Sequence, residues 1–384
     1  MIDQKRISSK YIILFFVILF GIGLISIKDY GVSSDEHNTR LKGFITLNYL
    51  GEKFIPEINQ DYKDDKDIAT FEEAGRIKYY GPLFDAPVAL FEVLLGIKDK
   101  KDQFLFKHYF CFFLFFISLI FFFKIANNRF ENKILALLGV LIIFLSPRIF
   151  ANSFYNGKDL VFMSFIIFSM YFGLSFFKKP NFKNCLKFSL FAALAIDIRV
   201  LGVIIPALIF GIIFLKIIVT KVHMKEYFLN SFLILPFLSI FITLFWPFLW
   251  EAPVNNFIDA FKVMSNYEIE ILNFFRGEII SAGAVPWNYI PIWILITTPI
   301  FYIIFFLIGL VNFLINLSFF NKIKNTNNFY QDLLFLMLIF GSIFSVIFLG
   351  STLLNGWRHF YFIYPSFVMI TLCGFNYIYK IIKK

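Results

Sequence analysis

Three stretches of the sequence hold the side chains best suited to moving a proton or holding an anion. In GVSSDEHNTRLKG, Asp35 and Glu36 stand side by side, with His37 next in line. A carboxylate there can take the proton of an attacking hydroxyl if it lies within hydrogen-bond reach. SPRIFANSFYNGKD supplies Arg148, Lys158 and Asp159, and STLLNGWRHFYF supplies Arg358 and His359. A shorter piece, IDIRVLG, adds Asp197 and Arg199. Cations gathered from several loops suit a phosphate-bearing ligand, whose oxygens they neutralise through charge-assisted hydrogen bonds. Each stretch also has an ordinary reading. Arg148 and Lys158 reach lipid head groups by snorkelling, Asp197 and Arg199 form a local ion pair, and His37 is a hydrogen-bonding bystander.

The elements that must position these residues are membrane helices. Of 384 residues, 59% are hydrophobic and only 16% charged, against roughly half and a quarter in a soluble domain. Lipid must therefore be the solvent for most of the chain. The 58 phenylalanines reflect a compositional bias toward Phe, Ile, Asn and Lys, not an aromatic binding array. Cys111, Cys185 and Cys373 are far apart, with neither a disulfide framework nor zinc spacing.

A span needs about 20 apolar residues. Runs of that character cover 11–27, 104–123, 134–145, 160–177, 227–249, 291–315, 333–350 and 360–378. From Lys183 to Lys216 one helix would run about 50 Å, too long for a single crossing. It carries Asp197 and Arg199 near its middle, followed by Gly202 and Pro206, so we expect two short helices turning around 196–200. The fold expected is an all-α polytopic membrane protein of about ten transmembrane helices.

The charge pattern agrees. With the amino terminus inside, the inner segments collect roughly 18 basic residues against about four acidic ones, as the positive-inside rule demands. Reading 188–219 as one span would reverse every later loop. The net charge of +10 is thus a topology signal, not a nucleic-acid footprint. Both termini are expected in the cytoplasm and the chemistry on the outer face. The first span lacks a cleavage pattern and is expected to stay, and no internal repeat of the transporter kind is visible. The chain reads as one domain, 1–384. The first outer loop, 28–103, includes an acidic turn at Asp61–Asp67 and an amphipathic stretch at 83–97 suited to lying along the interface. A second large outer segment, 250–290, carries FIDAFKVM, suited to another surface helix.

A first span followed at once by Asp35-Glu36 and then an amphipathic loop resembles the GT-C membrane glycosyltransferases. Closest are bacterial relatives of the protein O-mannosyltransferases and of the aminoarabinose transferases of lipid A. YYGPLFD, SPRIFANSFYNGKD and NGWRHFYFIYP fit that group, and the resemblance runs over nearly the whole chain. The chain differs from larger members in ending at Ile381-Ile382-Lys383-Lys384, with no soluble carboxy-terminal domain expected.

The resemblance implies a polyprenyl-phosphate sugar as donor, a lipid-exposed groove for its tail, and transfer at the outer face of the plasma (bacterial inner) membrane. It implies Asp35 as general base, with Glu36 sharing that role or positioning the acceptor. Arg148 matches the family's Pro-Arg and is the first candidate for the donor phosphate. Lys158, Arg199, Arg358 and His359 are further phosphate candidates, with Asp159 holding the basic groups or a sugar hydroxyl. Tyr79 and Tyr80 are candidate cavity walls. No cofactor is expected. A divalent metal near Asp35, Glu36 and Asp159 is conceivable, but three carboxylates scattered over two loops make no metal motif. The acceptor is open: a glycan, a lipid or a protein. A lipid or solute transporter, a non-catalytic envelope assembly protein and a ligase of whole glycans are the alternatives.

Overall fold

The computed structural model describes residues 8–54, 71, 73–221, 224–265, 271–318 and 326–383; the acidic turn at 61–67 lies outside them. The first span is α1, Ser9–Ser26, continued by a 3-10 turn to Asp29. The first loop then holds α2, Glu36–Phe54, and α3, Asp85–Leu94. Next come α4 (Lys100–Phe130), α5 (Lys133–Phe144), α6 (Pro147–Tyr155), α7 (Asp159–Lys178), α8 (Phe182–Ile198), α9 (Ile204–Thr220) and α10 (Met224–Phe245). Helix α11, Pro253–Ser265, leads to a hairpin of β1, Leu272–Phe275, and β2, Glu278–Ser281. The rest is α12 (Tyr289–Thr297), α13 (Ile300–Leu317), α14 (Asn327–Leu349, with a π turn at Met337–Gly341) and α15 (Tyr364–Ile382).

Eight helices among the described residues are long and apolar enough to cross a membrane, and α5 with α6, bent by 67° at Leu145-Ser146, makes a ninth. The bend has a local cause: Pro147 opens α6 and Ser146 before it is held extended. The tenth expected passage is α8, only 17 residues long. It runs the length of the bundle nonetheless. Arg199, just past its end, pairs with Asp159 at the start of α7, while Cys185, in its first turns, donates to the carbonyl of Asn230 near the start of α10. The break falls at Ile198–Val200, within the turn expected from sequence. The apolar run 291–315 is not one helix, because Pro299 stops α12 and α13 starts afresh at Ile300.

The most enclosed helix is α7, buried along nearly its full length between α4 and α8. The closest crossing joins α13 and α15. There Gly309 and Gly374 let the backbones touch, and a β-carbon on either would overlap the facing carbonyl. The rings of Phe305 and Phe375 stack beside this crossing at 3.7 Å. Such small-residue contacts do the work that hydrophobicity cannot do between helices already in lipid.

The bundle end opposite Asp159 is clasped by polar pairs. Arg129 grips Asp332 with two hydrogen bonds of 2.7 and 2.5 Å. Lys216 donates to Tyr227 and to Asn327 at 2.9 and 3.0 Å. The amphipathic stretch of the first loop is α3, which buries Ala86, Val88 and Ala89 and exposes Leu90, Phe91, Leu94 and Leu95. FIDAFKVM lies within α11, whose Val254, Ile258 and Phe261 share an exposed flank. The three cysteines are free and buried.

Candidate active site

Asp35 sits on the turn before α2, which Glu36 shapes. The Glu36 carboxylate reaches back to accept the Ser33 N–H at 2.6 Å, while the Glu36 N–H donates to the Ser33 carbonyl at 3.1 Å. This is the reach-back half of a capping box, S-x-x-E in the run SSDE. The other Glu36 oxygen meets Nε2 of His108, on α4, at 2.8 Å. Both oxygens of Glu36 are thereby occupied and the residue is buried. Asp35, one residue earlier, is turned the other way: its side chain is 45% exposed, and Oδ2 accepts from Nη2 of Arg358 at 2.8 Å.

Arg358 begins the 3-10 turn that leads into α15. Its Nε lies 3.7 Å from Asp159, a buried carboxylate that also receives Nη2 of Arg199. Four residues from four segments thus form one alternating chain: Arg199, Asp159, Arg358, Asp35. Asp159 is fixed from below by Asn156, whose Oδ1 accepts the Asp159 N–H at 2.7 Å and whose Nδ2 donates to its carboxylate at 3.1 Å. His359 adjoins this carboxylate, close enough to act on its charge.

Two cations stand apart from that chain. Arg148 lies over the Trp293 ring at 5.1 Å, against Gly356 and Tyr361. Among the described residues no carboxylate is within ion-pair reach of it. Lys158 caps α7 and places its ammonium 3.5 Å from the Tyr80 ring centre. Burial, with Arg199 beside it, pushes this amine well below the ordinary lysine value. Four cations against two carboxylates leave the cluster with two uncompensated positive charges if Lys158 is protonated.

The tyrosines divide. Tyr80 faces Lys158, with Lys42 at 5.8 Å on the same ring. Tyr79 packs edge-on against Phe248 at 5.3 Å. The YYGP turn carrying them docks on Asp197, which accepts the Leu83 N–H at 2.9 Å. Gly81 is required there, since a β-carbon would overlap the Asp197 carboxyl and carbonyl. The local Asp197–Arg199 pair considered from sequence does not form. Two residues apart at a helix end, the side chains diverge, and each takes a distant partner.

Sequence reasoning missed a second polar cluster that carries the site. Asp85, at the start of α3, binds Nζ of Lys42 from α2 and Nζ of Lys107 from α4, each at 2.8 Å. Burial pushes the Asp85 carboxyl up, but the ammonium groups of Lys107 and Lys42 outweigh it and hold it below the ordinary value. Arg40 on α2 adds a bidentate grip on Glu92 of α3 at 2.5 to 3.2 Å. These pairs staple the loop bearing Asp35 to α4. The signal was thin: single charges at 42, 85 and 107, spread over three helices. Also unforeseen were His108 as the partner of Glu36, and Tyr361 beside Arg148. The carboxylates weighed as metal ligands do not converge: Asp35 and Asp159 face guanidiniums, Glu36 faces an imidazole. Among the described residues no three metal-ligating side chains come together.

The fold, with its long first loop and a charged cluster drawn from four loops at one end, is of the GT-C type expected from the sequence. Residues 100–250 match the family model described as dolichyl-phosphate-mannose-protein mannosyltransferase. The whole structure is similar to the crystal structure of ArnT from Cupriavidus metallidurans bound to undecaprenyl phosphate. The TM-score is 0.52 at 10% identity, over 96% of this chain and 59% of that one. The likeness is one of fold, and the chain spans about three-fifths of its relative's length. No curated protein is significantly similar in sequence.

Proposed function

We propose that this protein is a glycosyltransferase that moves a sugar from a polyprenyl-phosphate donor to an acceptor at the outer face of the plasma membrane. The alternating chain Arg199, Asp159, Arg358, Asp35 carries the reading. It sets a half-exposed carboxylate beside cations placed for a departing phosphate. In this reading Oδ1 of Asp35 takes the proton of the acceptor hydroxyl or amine as that group attacks the anomeric carbon. The bond to the donor phosphate breaks, and its electron pair stays on the phosphate oxygen. Arg148, which among the described residues has no carboxylate to compete, and Lys158 receive the phosphate, while Arg358 bridges it to the base. The growing negative charge meets positive charge already in place, which lowers the barrier without reorganisation.

Glu36 holds the turn and takes no part in proton transfer, because both of its oxygens are engaged. Tyr80 lines the wall behind Lys158, Tyr79 packs behind it on Phe248, and no metal is required. Charge supports this orientation: Arg129, Lys178 and Lys216 lie at the bundle end away from Asp159.

Membranes carrying the protein are given radiolabelled polyprenyl-phosphate sugars. Asp35→Asn should abolish transfer while donor still binds, and Arg148→Ala should mainly weaken donor use. Undiminished transfer by Asp35→Asn would remove the residue from the base role.

A further inference from the structure

The hairpin β1–β2 presents a face that none of the described residues covers. Its strands pair Leu272 with Ser281, Asn273 with Ile280, Phe274 with Ile279 and Phe275 with Glu278. Arg276 and Gly277 form the turn, both with positive φ (55° and 89°), as a tight two-residue hairpin of the primed type needs. Alternation then divides the side chains. Asn273 and Phe275 point inward and are buried, whereas Leu272, Phe274 and Ile279 point outward and are 68%, 69% and 70% exposed. An isolated two-stranded hairpin is at best marginal in water, and one with three large apolar groups on its open face is poorly suited to it.

The inner face fixes the hairpin's height. Leu353 donates its N–H to the Ala282 carbonyl at 3.0 Å. Asn273 donates Nδ2 to the Leu353 carbonyl at 2.7 Å and accepts the Asn355 N–H at 3.1 Å. Those partners follow within a few residues of Leu349, where α14 ends. Trp287, 69% exposed, and Tyr289 then lead into α12. The hairpin therefore lies level with the ends of α12 and α14, its open face directed away from the bundle. Toward the end of α14, a few residues before the Leu353 contact, Phe344, Phe348 and Leu349 are likewise exposed.

We propose that this hairpin is a lipid-binding element seated in the leaflet on the same side as the charged site. The occupant of its open face is the bilayer itself, at the boundary of head groups and acyl chains. Leu272, Phe274 and Ile279 enter the acyl region, while Arg276 and Glu278 at the tip stay among hydrated head groups. The free backbone groups of a two-stranded ribbon exclude a deeper position, since nothing would satisfy them in hydrocarbon. The seat also steadies the loop that carries Arg358. Through Asn273 the hairpin holds residues 353–355. Phe275 packs on Tyr289 at 4.9 Å, and the Tyr289 hydroxyl accepts the Gly356 N–H at 3.0 Å. This inference stands on the hairpin's own geometry and does not need the catalytic reading.

Full-length protein in liposomes of phosphatidylethanolamine and phosphatidylglycerol, with a spin label at Phe274→Cys or Ile279→Cys, tests it by power saturation. Both labels should be relaxed more by oxygen than by a water-soluble nickel chelate, with the reverse at the control position Asn355→Cys. Nickel accessibility at 274 and 279 equal to that at 355 would place the hairpin in water. Protection from both agents would place it against another protein surface. Either result overturns the proposal. In the double variant Phe274→Ser/Ile279→Ser, the label at 355 should become more mobile; an unchanged line shape would remove the steadying role.

Discussion

Arg358 donates to Asp35 at 2.8 Å while its Nε lies 3.7 Å from Asp159, so one guanidinium ties the turn before α2 to the start of α7. The arrangement gives Asp35 a fixed orientation with one oxygen outward, and it gives Asp159 a second cation besides Arg199. A ligand phosphate arriving at Arg358 is thereby set next to the carboxylate that would activate the acceptor. The pairings make distinct demands on variants.

Asp159→Ala leaves the Arg199 guanidinium without a carboxylate among the described residues, while Arg358 keeps only Asp35. Removing one partner of a buried pair costs about 3–5 kcal/mol, read as a lower midpoint of thermal unfolding in detergent. Asp159→Asn keeps the shape and the Asn156 contact and should fold better than the alanine variant, yet it should transfer sugar poorly. Equal stability of Asp159→Ala and the unaltered protein would show that the pairings do not support the fold.

Lys158 gives a dependence on pH. Its amine is held well below the ordinary lysine value by burial and by Arg199, so it loses its proton more readily in the empty site. A bound phosphate favours the charged form and raises that value, so donor binding takes up a proton. Affinity for donor should therefore fall as pH rises through the window between the lowered value of the empty site and the raised value of the complex. Calorimetric titration in buffers of different ionisation heat measures the uptake. Lys158→Arg, which stays charged, should abolish it.

Gly81→Ala tests the docking of the YYGP turn. The added methyl meets the Asp197 carboxyl and backbone, and overpacking of that kind costs about 1–3 kcal/mol. Because Tyr80 is displaced from Lys158, donor KM should rise more than kcat falls. A variant with unchanged KM would detach the turn from the donor site.

Reporter fusions check the orientation. A fusion after Ser33 should report the outer compartment and one after Lys179 the cytoplasm. The same side for both would be incompatible with α4 to α7 crossing as described.

Much of this architecture is written in local pattern. Composition alone assigns the chain to lipid, because 59% hydrophobic residues have no other solvent. The clustering of Lys and Arg sets the expected alternation of inner and outer loops. Asp197, Arg199, Gly202 and Pro206 mark the turn between α8 and α9, since polar and helix-breaking residues there are costly in hydrocarbon. Each of these signals lies within a window of a few residues or within one span.

Partnership was decided only by tertiary packing. Asp197 and Arg199 are neighbours in sequence but bond to Leu83 and Asp159. Glu36 meets His108, and Asp85 meets Lys42 and Lys107, across helices whose sequences give no hint of facing one another. Adjacent side chains at a helix end diverge, so a buried charge seeks its counter-ion wherever the packed bundle brings one near. Which carboxylate is left with an oxygen open to a substrate, and which is consumed in holding the fold, follows from that competition among all the buried charges at once.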